Sequence, residues 1–150
     1  MILNTGYEAI ISGLSATFAA QIFKLFTNYF RNKVFDFTML TTTGGMPSSH
    51  ASGVVALSTS IALIDGLSST TFAVSAGFAL VVLQDAAGLR QASGEMAACL
   101  NQIVAELHKF KIKMAGQRFK EMLGHTPFEV FAGVIWGICA AFILRFVVLS

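Results

Sequence analysis

The sequence predicts an all-α fold: a polytopic membrane helix bundle with about four transmembrane helices and a cytoplasmic amphipathic helical segment. Of the 150 residues, 55% are hydrophobic and only 12% are charged, whereas a soluble domain has about 25% charged residues. The mean hydropathy is +0.70. The chain has only two prolines, which suits long, unbroken helices.

The length allows one integral membrane domain over residues 1–150, because each membrane-spanning helix needs about 20 residues. The composition excludes a disordered chain and a disulfide scaffold. It offers no basic tail for nucleic acid, so membrane lipid is the expected partner. Cys99 and Cys139 lie far apart, and we expect both to be buried in helices as small apolar side chains.

The first predicted helix is the apolar stretch from about Tyr7 to Phe30, which carries no charge over Ala9–Phe23. The following connection, Arg31–His50, is polar, and its double glycine and proline indicate a non-helical loop. Ser48 or Ser49 is suited to cap the helix that follows.

Four further segments complete the predicted bundle. The second helix, about Ser49–Ile64, is rich in small residues that let membrane helices pack closely, and it offers a contact face for a homo-oligomer. A tight turn at Asp65–Ser69 leads to a third helix from about Thr70 to Leu83. The segment Gln91–Gly124 has apolar residues at helical spacing, which predicts an amphipathic helix or pair at the membrane surface. A last helix covers about Pro127–Leu149.

The basic residues indicate an orientation. Nine of the ten Lys and Arg residues fall within Lys24–Lys33 or Arg90–Lys120, and four spans place both groups on one side of the bilayer. The positive-inside rule makes this side cytoplasmic, with the plasma (inner) membrane as the expected location. Glu8, Asp65 and Arg145 fall toward the opposite side.

Ionisable residues that could carry chemistry concentrate at the same cytoplasmic helix ends. Such residues are costly at membrane depth and are functional candidates. Two histidines among several cations suit a phosphoryl group: cations neutralise its oxygens while one histidine attacks and the other protonates the leaving oxygen. The candidates are Lys24, Arg31, Lys33, His50, Asp85, Arg90, His125 and Glu129.

Each candidate also has a structural interpretation. Thr126–Glu129 fits a capping box, with Thr at the N-cap, Pro at the first helical position and Glu reaching back to the backbone. The cations of Lys24–Lys33 suit anchors at the membrane surface. Asp85 and Arg90 suit an ion pair at a helix end, or the end of a helix broken at Gly88.

Three sequence blocks resemble the divergent branch of the type 2 phosphatidic acid phosphatase family, also described as acid phosphatase/vanadium-dependent haloperoxidase-related. The blocks are GGMPSSH at 44–50, DAAGLR at 85–90 and GHTPFE at 124–129. They follow in the expected order over nearly the whole chain. The resemblance implies a membrane phosphatase that hydrolyses a lipid phosphate or diphosphate with no metal and no cofactor.

The resemblance also implies a role for each matching residue. His125 is the implied nucleophile, oriented by Glu129, which stands in place of the family's Asp. His50 is the implied general acid. Ser48 is the implied hydrogen-bond donor to the phosphate, next to Ser49, which replaces a glycine of the family's Pro-Ser-Gly-His block.

The cation motif of the family, Lys-x6-Arg-Pro, is matched by Lys24 and Arg31. Asn32 replaces the proline, and Lys33 is an alternative phosphate-binding cation. The resemblance therefore places these cations, together with Asp85 and Arg90 of the middle block, in the substrate-binding set.

One arginine of the family's third block has no counterpart at its expected position, six residues before the histidine. Phe119 stands there. Arg118 is one residue away, and Arg90 is an alternative substitute from the neighbouring block.

Two other functions are open at this point. A non-catalytic membrane protein on the same helix scaffold would bind anionic headgroups or small anions, and the departures at Ser49 and Phe119 favour it. A small transporter is a further alternative, although four spans are few and no inverted repeat is evident.

Overall fold

The computed structural model describes residues 2–33, 45–109, 119 and 125–149, and within these ranges the chain is helical with no β-strand. This confirms the all-α prediction. A π-helical turn (Asp85–Leu89) joins the third helix to the fourth, and another (Leu144–Val148) extends the fifth. The five helices are α1 (Gly6–Asn32), α2 (Ser49–Asp65), α3 (Thr70–Gln84), α4 (Arg90–Lys109) and α5 (Pro127–Ile143).

Three stretches of the described chain are long and apolar enough to cross a membrane: Gly6–Phe30, Thr70–Leu107 and Pro127–Val148. Helix α2, with 17 residues, is a fourth apolar helix. The second stretch has 38 residues, nearly twice the 20 or so that a bilayer needs. It contains both apolar α3 and amphipathic α4, so a surface position for α4 stays a prediction.

Helix α2 is the centre of the bundle and contacts α1, α3 and α5. Its buried side chains are nearly all Ser or Ala, which allows three neighbours to approach closely. At the crossing with α1, a Cβ added to Gly53 would overlap the Thr17 hydroxyl. The small-residue face that we expected to serve self-association is therefore used inside the bundle, and that assignment is wrong. Self-association itself stays a prediction.

Helix α5 lies directly on the backbone of α2. A Cβ added to Gly133 would lie 2.7 Å from Ser48 O, and one added to Gly137 would lie 2.5 Å from Ser52 O. Glycines four residues apart share one helix face, and this spacing is a known packing pattern of membrane helices. The pair Gly133 and Gly137 thus sets the distance between α5 and α2.

A buried stripe with four-residue spacing runs along α1, with small residues between an acid and a base. Each residue of this stripe is at most 2% exposed. The equivalent positions of α5 have the same order of charge, with the acid first and the base last. The α1 stripe is Glu8, Ser12, Ala16, Ala20 and Lys24, and the α5 stripe is Glu129, Gly133, Gly137, Ala141 and Arg145.

The two stripes form an acid–base pair at each end of the bundle, because α1 and α5 run in opposite directions. At one end, Arg145 Nη1 donates to Glu8 Oε1 over 2.7 Å, and Asn4 N donates to Glu8 Oε2 over 2.7 Å. At the other end, the Glu129 carboxylate is close enough to act electrostatically on Lys24. A core of small residues separates the two pairs.

The cysteines do not occupy the buried positions that we expected. Cys99 and Cys139 are both free and exposed, so that prediction is wrong. Cys139 follows Gly137 by two residues, and a step of about 200° around the helix turns it away from α2. Cys99 lies on α4, whose packing within the described chain is mainly against the π-helical turn.

Candidate functional site

The start of α2 is joined to the first turn of α5 through Ser48. Ser48 is fully buried and caps α2, since its Oγ accepts from Ala51 N over 3.4 Å. Its backbone N–H donates to Glu129 O over 3.1 Å. Ser52 Oγ donates to Ser48 O over 2.7 Å. The predicted serine cap is confirmed at Ser48, and the same residue holds two helix N-termini together.

Lys24 reaches this junction from α1. The side chain is 2% exposed, and its Nζ donates to Ser49 Oγ over 3.5 Å. The loop before α2 passes over the lysine: Gly45 has φ +81°, and a Cβ added there would lie 3.8 Å from Lys24 Cδ. Since the ammonium points into the bundle, the alternative interpretation of Lys24 as a surface anchor is wrong.

The beginning of α5 is a complete capping box. Thr126 N donates to Glu129 Oε2 over 2.9 Å, and Glu129 N donates to Thr126 Oγ1 over 3.3 Å, as the sequence predicted. His125 directly precedes this box and is 1% exposed. The Glu129 carboxylate therefore has a demonstrated part in the cap, while its role in orienting His125 stays a prediction.

His50 and Asp85 line a different space. His50 is exposed, and both residues lie in a groove of about 590 Å³ between α1, α2 and α3. Helix α5 packs elsewhere on α2, where Gly133 and Gly137 approach Ala51 and Val55. The structure thus gathers Lys24, Ser48, Ser49 and Glu129 at the α1–α2–α5 junction, where the buried His125 directly precedes α5. It sets His50 and Asp85 in the groove on another face.

One predicted cation, Lys33, is not brought into this cluster. Lys33 is exposed and ends α1 in the left-handed conformation, with φ 57° and its N–H donating to Tyr29 O. Arg31 lies in the last turn of α1 and Arg90 begins α4. The side chains of both arginines, like the whole of Arg118, lie outside the described residues.

Phe119, at the position of the family's arginine, is held by a residue that the sequence did not single out. Asn101 Nδ2 donates to Phe119 O over 2.8 Å, and Phe119 N donates to Asn101 Oδ1 over 2.9 Å. Nothing in the sequence indicates this contact. The Glu8–Arg145 pair and the two glycines of α5 were also missed, although their four-residue spacing was a usable signal.

No group of three His, Cys, Asp or Glu side chains converges as a metal-ligand set within the described ranges. The cluster at the α1–α2–α5 junction instead has one buried ammonium, two hydroxyls, one carboxylate and one imidazole. Backbone N–H groups at helix N-termini favour anions, and an ammonium favours them too. The arrangement is therefore suited to an anionic group.

Comparison with known proteins identifies the family of the chain. Residues 6–140 match the model of a family described as "Divergent PAP2 family". The chain is 39% identical over 147 residues to the "uncharacterized membrane protein YuiD" of Bacillus subtilis (strain 168). That similarity covers 91% of this chain and 93% of the relative. No solved structure matches.

Proposed function

The chain belongs to the divergent PAP2 family of membrane proteins, and from this premise we propose that it hydrolyses a lipid phosphate or diphosphate through a phospho-histidine. The observation that carries the proposal is the buried Lys24 ammonium, which contacts Ser49 where the N-termini of α2 and α5 meet. A charge buried in a membrane bundle is costly and marks a functional candidate. A phosphoryl group supplies negative oxygens for Lys24 and acceptors for Ser48 and Ser49.

The proposed reaction has two steps. In the first, an imidazole nitrogen of His125 attacks phosphorus, the P–O bond to the lipid breaks, and the lipid oxygen takes a proton from His50. In the second, water attacks the phospho-histidine, the P–N bond breaks, and His50 takes the proton of the water. Phosphate leaves, and both histidines return to their starting states.

The separate positions of the two histidines suit these roles. In-line displacement at phosphorus needs the nucleophile and the leaving oxygen on opposite sides. His125 lies at the start of α5, whereas His50 faces the groove between α1 and α3. A phosphoryl group beside Ser49 and Lys24 would have one histidine on each side, with its lipid oxygen toward His50.

The test is phosphate release from phosphatidate, phosphatidylglycerol phosphate and a polyprenyl diphosphate by the detergent-purified full chain. We expect His125→Ala to abolish release and His50→Ala to lower it about 100-fold or more, as for a general acid. His108→Ala, a histidine on α4, is the matched control and keeps full activity. Thermal unfolding of each variant separates lost chemistry from lost folding. Unchanged release by His125→Ala would overturn the nucleophile assignment.

A second candidate is a non-catalytic protein that binds anionic headgroups at the same cluster. It is favoured by Phe119 in place of the family's arginine, with its backbone held by Asn101. Vanadate, which mimics the five-coordinate phosphoryl group, distinguishes the two. Vanadate binding that requires Lys24, together with no phosphate release from any lipid, would support the binding protein over the enzyme.

We also propose that the cluster faces the cytoplasm across the plasma membrane, because the basic segments flank it in sequence. Lys33→Cys and Leu67→Cys, each in a chain with Cys99 and Cys139 replaced by Ser, test this orientation. Both positions are exposed and lie at opposite ends of the bundle. A membrane-impermeant maleimide added to intact cells should label position 67 only. Labelling of position 33 alone would reverse the orientation.

A further inference from the structure

The groove that contains His50 and Asp85 has apolar walls and one polar end. Its floor is α2 from His50 to Leu57, and its walls are one face of α1 and one face of α3. Thr17, the only other side chain in it with a polar group, donates within α1 to Gly13 O over 2.8 Å. The other polar side chains of the lining, His50 and Asp85, lie at the end of the groove that adjoins Ser49.

The size of the groove indicates what occupies it. The eight residues from His50 to Leu57 make the floor about 10 Å long. The groove has about 590 Å³, within the range of ligand pockets. Its walls belong to membrane-spanning stretches, where hydrocarbon chains are the surrounding medium.

We propose that this groove binds the hydrocarbon chain of the lipid substrate, with the headgroup at His50. The inference rests on the proposed function and adds where the leaving lipid lies. Ser49 contacts Lys24 and the next residue, His50, opens into the groove, so a phosphoryl group at Ser49 has its lipid oxygen directed along the groove. The chain thereby becomes part of substrate recognition, and a water-soluble phosphate ester lacks this binding surface.

Photo-crosslinking tests the groove without requiring turnover. The full chain in mixed micelles is illuminated with a phosphatidate that carries a diazirine in its acyl chain, and labelled residues are located by mass spectrometry. We expect labels on Val54, Leu57 and Val81. If exposed apolar residues outside the groove, such as Phe131 on α5, are labelled as strongly as the groove residues, the proposal is overturned. Crosslinks to a second copy at the groove would also overturn it.

A matched pair of substitutions sharpens the test. Val81 lines the groove, whereas Val74 lies seven residues earlier on the same helix and does not, and the two are similarly exposed at 64% and 69%. We expect Val81→Trp to fill part of the groove and lower labelling about tenfold, the effect of displacing roughly two methylene groups. Val74→Trp should label like the unsubstituted chain. Equal labelling of the two variants would contradict the assignment.

Two further arms separate this inference from the proposed function. The diacylglycerol with the same photoreactive chain has no phosphate and should label the groove less than the phosphatidate; equal labelling would overturn the headgroup placement at His50. His125→Ala should keep groove labelling. If the groove is labelled but no lipid phosphate is hydrolysed, only the proposed hydrolysis is overturned. If phosphate is released but the groove is not labelled, only the proposed binding of the lipid chain in the groove is overturned.

Discussion

Gly133 is where α5 approaches the start of α2, and replacing it by alanine tests whether this packing positions the site. The added Cβ would lie 2.7 Å from Ser48 O and 2.8 Å from Ala51 Cβ. Non-bonded carbons are normally about 3.5–4.0 Å apart, so α5 must move away by about 1 Å. Overpacking of this kind costs about 1–3 kcal/mol. A misplacement of about 1 Å can lower activity about 100-fold.

Gly77→Ala on α3 is the control, because a Cβ at this position meets nothing within 4 Å. It should be neutral or stabilise the helix by up to about 1 kcal/mol. Thermal unfolding in detergent and phosphate release are measured for both variants. If Gly133→Ala unfolds at the same temperature as Gly77→Ala, the close packing of α5 on α2 is refuted. If it is destabilised but fully active, the packing does not position the site.

The acid–base pairs at the two ends of the bundle give two more predictions. Arg145→Met leaves the buried Glu8 carboxylate without its cation and should lower the free energy of unfolding by about 3–5 kcal/mol. A second change, Glu8→Met, should restore most of this loss. A double variant no more stable than Arg145→Met alone would argue against the pair. Glu129→Gln keeps a capping side chain but removes the charge beside Lys24, so its free energy of unfolding should fall nearly as far as that of Glu129→Ala. Unfolding of Glu129→Gln at the original temperature would mean that only the cap matters.

The helices could be predicted from the sequence because their signals are local. Apolar runs define α1 and α5, and the capping residues before α2, α3 and α5 lie within a few positions of the helix starts that they stabilise. The joint between α3 and α4 was harder to predict. Gly88 suggested a break, but the chain stays helical through a π-helical turn, where Ala86 packs against Ala51 and Val130. That contact depends on the tertiary fold.

The composition of the site was predictable, but not the faces on which its residues lie. A lysine near a helix end can extend to the membrane surface or turn inward, and Lys24 turns inward because α2 and its serine lie beside it. His50 follows Ser49 in the motif, yet a step of 100° around the helix moves it from the α1–α2–α5 junction to the groove. Spacing along the chain cannot show which neighbour covers each face.

The end charges of the antiparallel helices α1 and α5 connect the membrane position of the bundle to its chemistry. Glu8 and Lys24 are sixteen residues apart, as are Glu129 and Arg145, so each helix has about 24 Å between its charges. Sliding α5 along α1 by one turn would break both pairs at once, leaving four charges without partners near the hydrocarbon region. Such a penalty selects one register. In that register Glu129 lies near Lys24 and its carbonyl accepts from Ser48 N, so the ion pair at the far end helps to hold the cluster at the α1–α2–α5 junction together.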